Sequence, residues 1–285
     1  MKWLNPNRST SNFEDRRGRG RRRGALLGGG IGGIVVIVLG LFLGINPSRL
    51  NNVIGGIEGT GEEVVDPARQ HENEELKDFT LLVFNSCNDV WRTLFREKLS
   101  QDYRMPTLVA FTDEVQSACG GATAQVGPFY CPADEKVYID MNFFHELAQR
   151  FKAPGDLAMA YVTAHEVGHH VQNLLGLSET LNEMRRKLSE TEFNRYSVQM
   201  ELNADYLAGV WAHQAQRLGI IAIEPGDVEE ALRAAEAIGD DTLQKQARGY
   251  AVPETFTHGT SRQRMEAFLS GFETGRFTGR ELTLR

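Results

Sequence analysis

Two rhythms of apolar and polar residues divide this chain. Between about residues 107 and 140 the apolar positions come in short runs closed by glycine and proline, which predicts strands over 107–112, 128–131 and 136–140. The Pro132-Ala-Asp-Glu135 turn joins the last two as a hairpin. On either side the spacing is helical, and it predicts helices near 74–98, 142–152, 156–174, 178–190, 194–216, 226–238 and 261–270. Pro154-Gly155-Asp156 supplies a start for the third of these, with Asp156 as N-cap. The expected fold is therefore α+β, mostly helical with a small β-sheet, and no repeat of 20 to 50 residues interrupts it.

Residues 24–44 follow neither rhythm. They carry no charge and as a helix reach about 31 Å, the span of a bilayer core. Lys2, Arg8, Arg16, Arg17, Arg19, Arg21, Arg22 and Arg23 precede them, against only Glu14 and Asp15. This predicts one N-terminal transmembrane helix, with the arginines on the cytoplasmic side and the chain after about residue 45 outside the cytoplasmic membrane. A cleaved signal peptide fits less well, because the stretch exceeds the usual 7–15 apolar residues and no A-x-A site follows it. The chain then divides into a basic cytoplasmic tail (1–23), a transmembrane helix (24–44), a linker rich in Asn-Pro and Gly signals (45–70) and a folded domain (71–285). Gly28 and Gly32, with Gly40 and Gly44, repeat at the spacing that lets membrane helices approach, which leaves a weak homodimer open; a plain glycine-rich span is the simpler reading.

Charge supports this division. The net charge is −7 and residues 1–23 contribute 8 − 2 = +6, so the remainder carries −13. An acidic domain has no basic face with which to neutralise phosphates, so nucleic acid is not an expected partner, and the arginines read instead as a topology signal beside anionic lipid.

The chemistry centres on His165-Glu166-Val167-Gly168-His169. On a helix the two histidines, four apart, share one face with the glutamate beside them. Two neutral imidazoles can hold one Zn²⁺, and a carboxylate next to the first ligand can reach a water on the metal. Such a pentapeptide arises by chance in roughly one chain in a hundred of this length, so its surroundings must support it. They do: 157–175 contains no proline, and Ala160, Val162, Ala164, Val167 and Val171 offer a buried face. Gly168 costs about 1 kcal/mol of helix propensity relative to Ala, which makes sense if another backbone must pass close by. Catalytic zinc takes a third protein ligand, and Glu201 fits best, in a helical segment whose Met200, Ala204 and Val210 face the core. Asp205, four residues on, can accept the spare ring N–H of a ligand histidine.

With Glu201-Leu-Asn-Ala-Asp205 following His165–His169, the chain resembles the gluzincin branch of the zincin metallopeptidases. Within it, the Arg-rich start and apolar segment, Thr107-Leu-Val-Ala-Phe-Thr112, Ser117-Ala-Cys-Gly120, Gly127-Pro-Phe-Tyr-Cys-Pro132, Val137-Tyr-Ile-Asp140 and Phe256-Thr-His-Gly-Thr-Ser-Arg-Gln-Arg264 resemble the bacterial membrane-anchored neutral zinc metallopeptidases, the YpfJ-like family. The resemblance spans nearly the whole length. It implies a zincin-like domain, a single Zn²⁺ on His165, His169 and Glu201, Glu166 as general base, and a peptide or protein substrate at the outer face of the bacterial inner membrane. It also implies a His or Tyr after the third ligand that binds the developing oxyanion; His258 matches by chain position, although a capping His there is an equal reading. Arg264 either braces Asp205 or is a surface charge. A zinc-binding envelope scaffold without turnover and a cell-wall amidase are the competing functions, and the unclosed zinc shell with its adjacent glutamate favours the peptidase.

Cys119 and Cys131, 12 apart in a glycine-rich stretch, are expected to pair as a disulfide in an oxidising compartment, leaving Cys87 as a buried free thiol. A cysteine ligand to zinc is the weaker alternative, since no C-x-x-C accompanies them.

Overall fold

In the computed structural model the described residues are 1–17, 67–112, 114–123, 127–282 and 284. The expected transmembrane helix 24–44, the rest of the arginine run (18–23) and the linker up to residue 66 lie outside them. Among the described residues no helix is long and apolar enough to cross a membrane.

The elements in chain order are β1 (Lys2–Trp3), β2 (Phe13–Asp15), α1 (Pro67–Leu94, continued by a π turn over Phe95–Leu99), β3 (Thr107–Phe111), β4 (Glu114–Ser117), β5 (Gly120–Thr123), β6 (Phe129–Cys131), β7 (Lys136–Asp140), α2 (Met141–Gln149), α3 (Asp156–Leu174), α4 (Leu177–Arg185), α5 (Glu190–Arg217), β8 (Ile221–Ala222), α6 (Asp227–Ala237), α7 (Asp240–Arg248) and α8 (Ser261–Thr274). The principal sheet runs β2-β3-β7-β6, parallel except for the antiparallel β6–β7 hairpin. Its two inner strands are buried on both faces. Leu108 and Ala110 of β3 and Val137 and Ile139 of β7 enter the main core, while Val109, Phe111 and Tyr138 alternate into a second cluster with Val115, Ala122 and Phe129. The β4–β5 hairpin covers that second face and is tied to β6 by the expected Cys119–Cys131 disulfide. Cys87 is free and buried, also as expected.

Helix α3 forms the centre of the main core, packed against α1, α5 and α6 and against β6 and β7. Its observed range coincides with the expected one, but Gly155 occupies the N-cap position, with φ at 133°, and Asp156 is the first helical residue, where its charge meets the positive end of the helix dipole. Ser189 with Glu192 and Thr260 with Gln263 form reciprocal capping boxes that fix the starts of α5 and α8. These two helices cross at close range: a Cβ on Gly209 would lie 2.1 Å from the Phe268 carbonyl oxygen, and one on Gly271 2.0 Å from that of Tyr206.

Three expectations are corrected. The first helix begins at Pro67, inside the expected linker. Helix α7 has no counterpart in the apolar pattern, because its sequence DDTLQKQAR is almost wholly polar and its burial comes from Asp240 and Gln244. Most consequentially, residues 1–17 are not a tail separate from the domain. β1 pairs antiparallel with β8, and β2 pairs in parallel with β3, a match of segments more than 90 residues apart that no local pattern encodes.

Candidate metal centre

Helices α3 and α5 cross at Gly168, where a Cβ would lie 3.1 Å from the Ala204 carbonyl oxygen. The glycine lets the two backbones approach, and the approach brings His165, His169 and Glu201 together. One ligand atom from each lies within 4.8 Å of the others. His165 Nε2 and His169 Nε2 are 3.1 Å apart. Glu201 Oε2 is 3.1 Å from the first and its Oε1 is 3.5 Å from the second. Ligands at about 2.0–2.1 Å around a tetrahedral zinc stand about 3.3–3.4 Å from one another, so the three side chains already lie at the edge lengths such an ion requires.

Neighbouring groups set the tautomers. His165 Nδ1 lies 2.7 Å from Asp205 Oδ1, and His169 Nδ1 lies 2.9 Å from Gln172 Oε1. Both partners only accept, so each Nδ1 carries a proton and each Nε2 turns a lone pair inward in the neutral ring. Gln172 is held in that orientation because its amide nitrogen donates to the Met200 carbonyl at 2.7 Å and to Asn203 Oδ1 at 3.0 Å. Two lone pairs and a carboxylate therefore converge on one point in a buried place, an arrangement that a cation stabilises. The electrostatics agree. Burial opposes a charge on His165, yet the Asp205 and Glu201 carboxylates override it and raise its pKa to about 10. Burial likewise opposes the Glu201 anion, but His169 and His258 hold its carboxyl well below the ordinary range. The donor set of two imidazoles and one carboxylate fits zinc and leaves a position open.

Asp205 is completely buried. Arg264 of α8 grips both of its oxygens, Nε to Oδ2 at 2.8 Å and Nη2 to Oδ1 at 3.0 Å, and Tyr161 donates to Oδ1 at 2.5 Å. Arg264 thus braces Asp205, one of the two roles its sequence position allowed. The guanidinium, after the opposing effect of burial, is what keeps the Asp205 carboxyl down at about 2.

Glu166 is buried beside the ligands, and among the described residues none donates a hydrogen bond to its carboxylate. Burial raises its pKa, offset in part by His165 and His169. His258 approaches from the loop before α8. Burial works against its charge, and the Glu201 carboxylate outweighs that and raises its pKa. Its loop is pinned by Asp240, whose Oδ2 accepts the backbone N–H groups of Thr257, His258 and Gly259 at 2.8, 2.7 and 2.9 Å; His258 Nδ1 lies 3.5 Å from Oδ1 of the same carboxylate.

His170, adjacent to the ligand His169, points away from the site. Its Nε2 donates to the Arg104 carbonyl at 2.6 Å and its Nδ1 accepts from the Tyr130 hydroxyl at 2.9 Å. Burial drives its pKa down to about 4, so it is a neutral strut between α3 and β6.

The fold thus brings the three expected ligands His165, His169 and Glu201 together, with Glu166 buried on the same helix as the two histidines and His258 on the loop before α8. Three contributors are additional. Tyr161, four before His165, and Gln172, three after His169, lie on the motif's own helix and could have been found by helical spacing. Asp240 could not, since it sits on the unanticipated α7.

A family model described as "Putative neutral zinc metallopeptidase" matches residues 1–280. The chain is 40% identical over 282 residues, 96% of each sequence, to the uncharacterized protein YpfJ of Escherichia coli K12. It is also 40% identical over 200 residues, 67% of this chain and 65% of the relative, to the uncharacterized protein Rv2575 of Mycobacterium tuberculosis H37Rv. No solved structure matches it.

Proposed function

Since the chain belongs to the neutral zinc metallopeptidase family, we propose that it is a zinc-dependent metalloendopeptidase in which His165, His169 and Glu201 hold one zinc ion and Glu166 is the general base. The observation that carries this reading is the convergence of three ligand atoms at tetrahedral edge lengths beside a buried carboxylate to which no described residue donates a hydrogen bond. Zinc, when bound, supplies Lewis acidity to the scissile carbonyl and to a water.

The residues do the rest. Glu166, its pKa raised by burial, accepts the proton of the attacking water and later delivers it to the departing amine nitrogen. His258, held by Asp240, donates a hydrogen bond to the carbonyl oxygen as that oxygen gains charge. Asp205 and Gln172 hold the two ligand imidazoles in the tautomer that turns Nε2 inward. The substrate is a peptide or protein, and β6, packed against α3, offers to an extended peptide an outer edge that no strand among the described residues pairs with. Apolar segment 24–44 holds the enzyme at the cytoplasmic membrane, and the Cys119–Cys131 disulfide favours its oxidising side.

The test uses the full-length chain and its Glu166→Gln and Glu201→Ala variants, assayed for bound zinc and for cleavage of unfolded casein. Glu166→Gln should retain one zinc and lose cleavage; Glu201→Ala should lose both. Zinc in the unmodified chain and in Glu166→Gln with cleavage by neither would shift the reading to a metal-holding scaffold or a different amide substrate. Equal cleavage by Glu166→Gln would remove Glu166 from the mechanism.

A further inference from the structure

The first seventeen residues are built into the domain along their length. Leu4 and Asn5 donate backbone N–H to the Ile220 carbonyl at 2.9 and 3.1 Å, continuing the β1–β8 pairing, and Trp3 packs edge-on against Phe79 of α1 with ring centroids 6.2 Å apart. Asn7 donates to Asp89 on α1 at 3.0 Å. β2 lies in register with β3, Phe13 opposite Leu108 and Asp15 opposite Ala110, and the Arg16 N–H extends the ladder to the Ala110 carbonyl at 2.8 Å. At the end of the segment, Arg17 donates to the Asn73 carbonyl at 3.0 Å and pairs with Glu74 at 2.5 Å.

Two features show that the domain depends on these contacts. Asn85 is buried in α1, and its amide donates to the carbonyls of Asn7 at 2.8 Å and Ser9 at 2.9 Å. Without residues 7–9, both donors lose these acceptors, and a buried polar group left unsatisfied costs about 1–3 kcal/mol. β3 is the second case. Its Leu108, Val109 and Phe111 are fully buried, a composition suited to an inner strand, and removing β2 would turn it into an exposed edge.

These contacts conflict with a chain divided by a membrane at residue 23. A tail on the cytoplasmic side cannot pair with β3, β8 and α1 of a domain on the other side. We infer that residues 1–17 and the metal centre occupy the same side of the membrane, docked as one folded unit in which Arg17 is tied to Asn73 and Glu74 near the start of α1. The arginines at 16 and 17 are then structural: Arg16 donates to the Gln116 carbonyl at 3.0 Å and pairs with Glu14, which in turn pairs with Lys136 on β7. The inference is independent of whether the site cleaves peptides.

The experiment uses the full-length chain in the membrane of living cells. Thr10→Cys in the N-terminal segment and Lys187→Cys after α4 each place a thiol at an exposed position, for reaction with a membrane-impermeant maleimide before and after permeabilisation. In a third variant, Lys2→Cys with Ala222→Cys, the two positions are direct partners in the β1–β8 register, so added diamide should oxidise them to a disulfide within one molecule. The expected result is that Thr10→Cys and Lys187→Cys react under the same condition, and that the double variant links internally. Labelling of one thiol in intact cells and of the other only after permeabilisation would overturn the inference. So would a double variant that retains zinc yet links only between molecules or not at all.

Discussion

At the scale of the residue, the site rests on which oxygen faces which ring nitrogen. Asp205 accepts from the His165 imidazole, from Tyr161 and twice from Arg264, all out of reach of solvent. An amide in its place presents one acceptor and one donor to three donors, and leaves the Arg264 charge buried without a counter-ion. Asp205→Asn should therefore destabilise the metal-free fold by about 3–5 kcal/mol and weaken zinc binding about 10–100-fold. Denaturant unfolding and chelator competition would measure the two effects separately. Gln172→Ala is the informative contrast. It frees the His169 ring without stranding a charge, so zinc affinity should fall with a much smaller loss of stability. The two histidines were legible because four-residue spacing on a helix is a local property; the pairing of Arg264 with Asp205 was only one of two open readings, because α8 begins more than 50 residues after Asp205.

Elements position these residues through close backbone approach. The α5–α8 crossing at Gly209 and Gly271 carries Arg264 onto Asp205, just as the α3–α5 crossing at Gly168 carries Glu201 onto the histidines. A methyl group at Gly271 would fall 2.0 Å from the Tyr206 carbonyl oxygen, a main-chain atom that cannot rotate aside. Gly271→Ala should push the helices apart, cost about 1–3 kcal/mol or more in overpacking, and lower zinc affinity although residue 271 touches no ligand. Thermal unfolding and zinc titration of the purified variant would check both, and an unchanged melting temperature would show that this crossing does not constrain the site. Helix α7 makes the complementary point. Its nine residues are almost wholly polar, and its first, Asp240, anchors the loop carrying His258.

For the molecule as a whole, the principal sheet separates two apolar clusters, the metal helix lying in one and the disulfide-linked hairpin covering the other. Cys119→Ser with Cys131→Ser should then lower stability by about 3 kcal/mol, the value for a loop of similar length, while zinc stoichiometry stays at one per chain. Urea unfolding and metal analysis of the double variant would test this, and loss of zinc would show that the hairpin supports the site across the sheet. The sequence alone determined what depends on neighbours within a turn or a hairpin: the range of α3, the β6–β7 hairpin, the two histidines and their glutamate, and the cysteine pair. Charge and hydropathy also led to reading residues 1–23 as a basic tail separate from the domain, because composition records that a segment is basic and not what the segment touches. Only the tertiary structure decided that residues 1–17 complete the sheet, that Asp240 holds His258 and that Arg264 closes over Asp205. Each of these joins segments far apart in the chain, and such contacts are selected by shape, register and the satisfaction of buried polar groups, none of which leaves a periodic trace in the sequence.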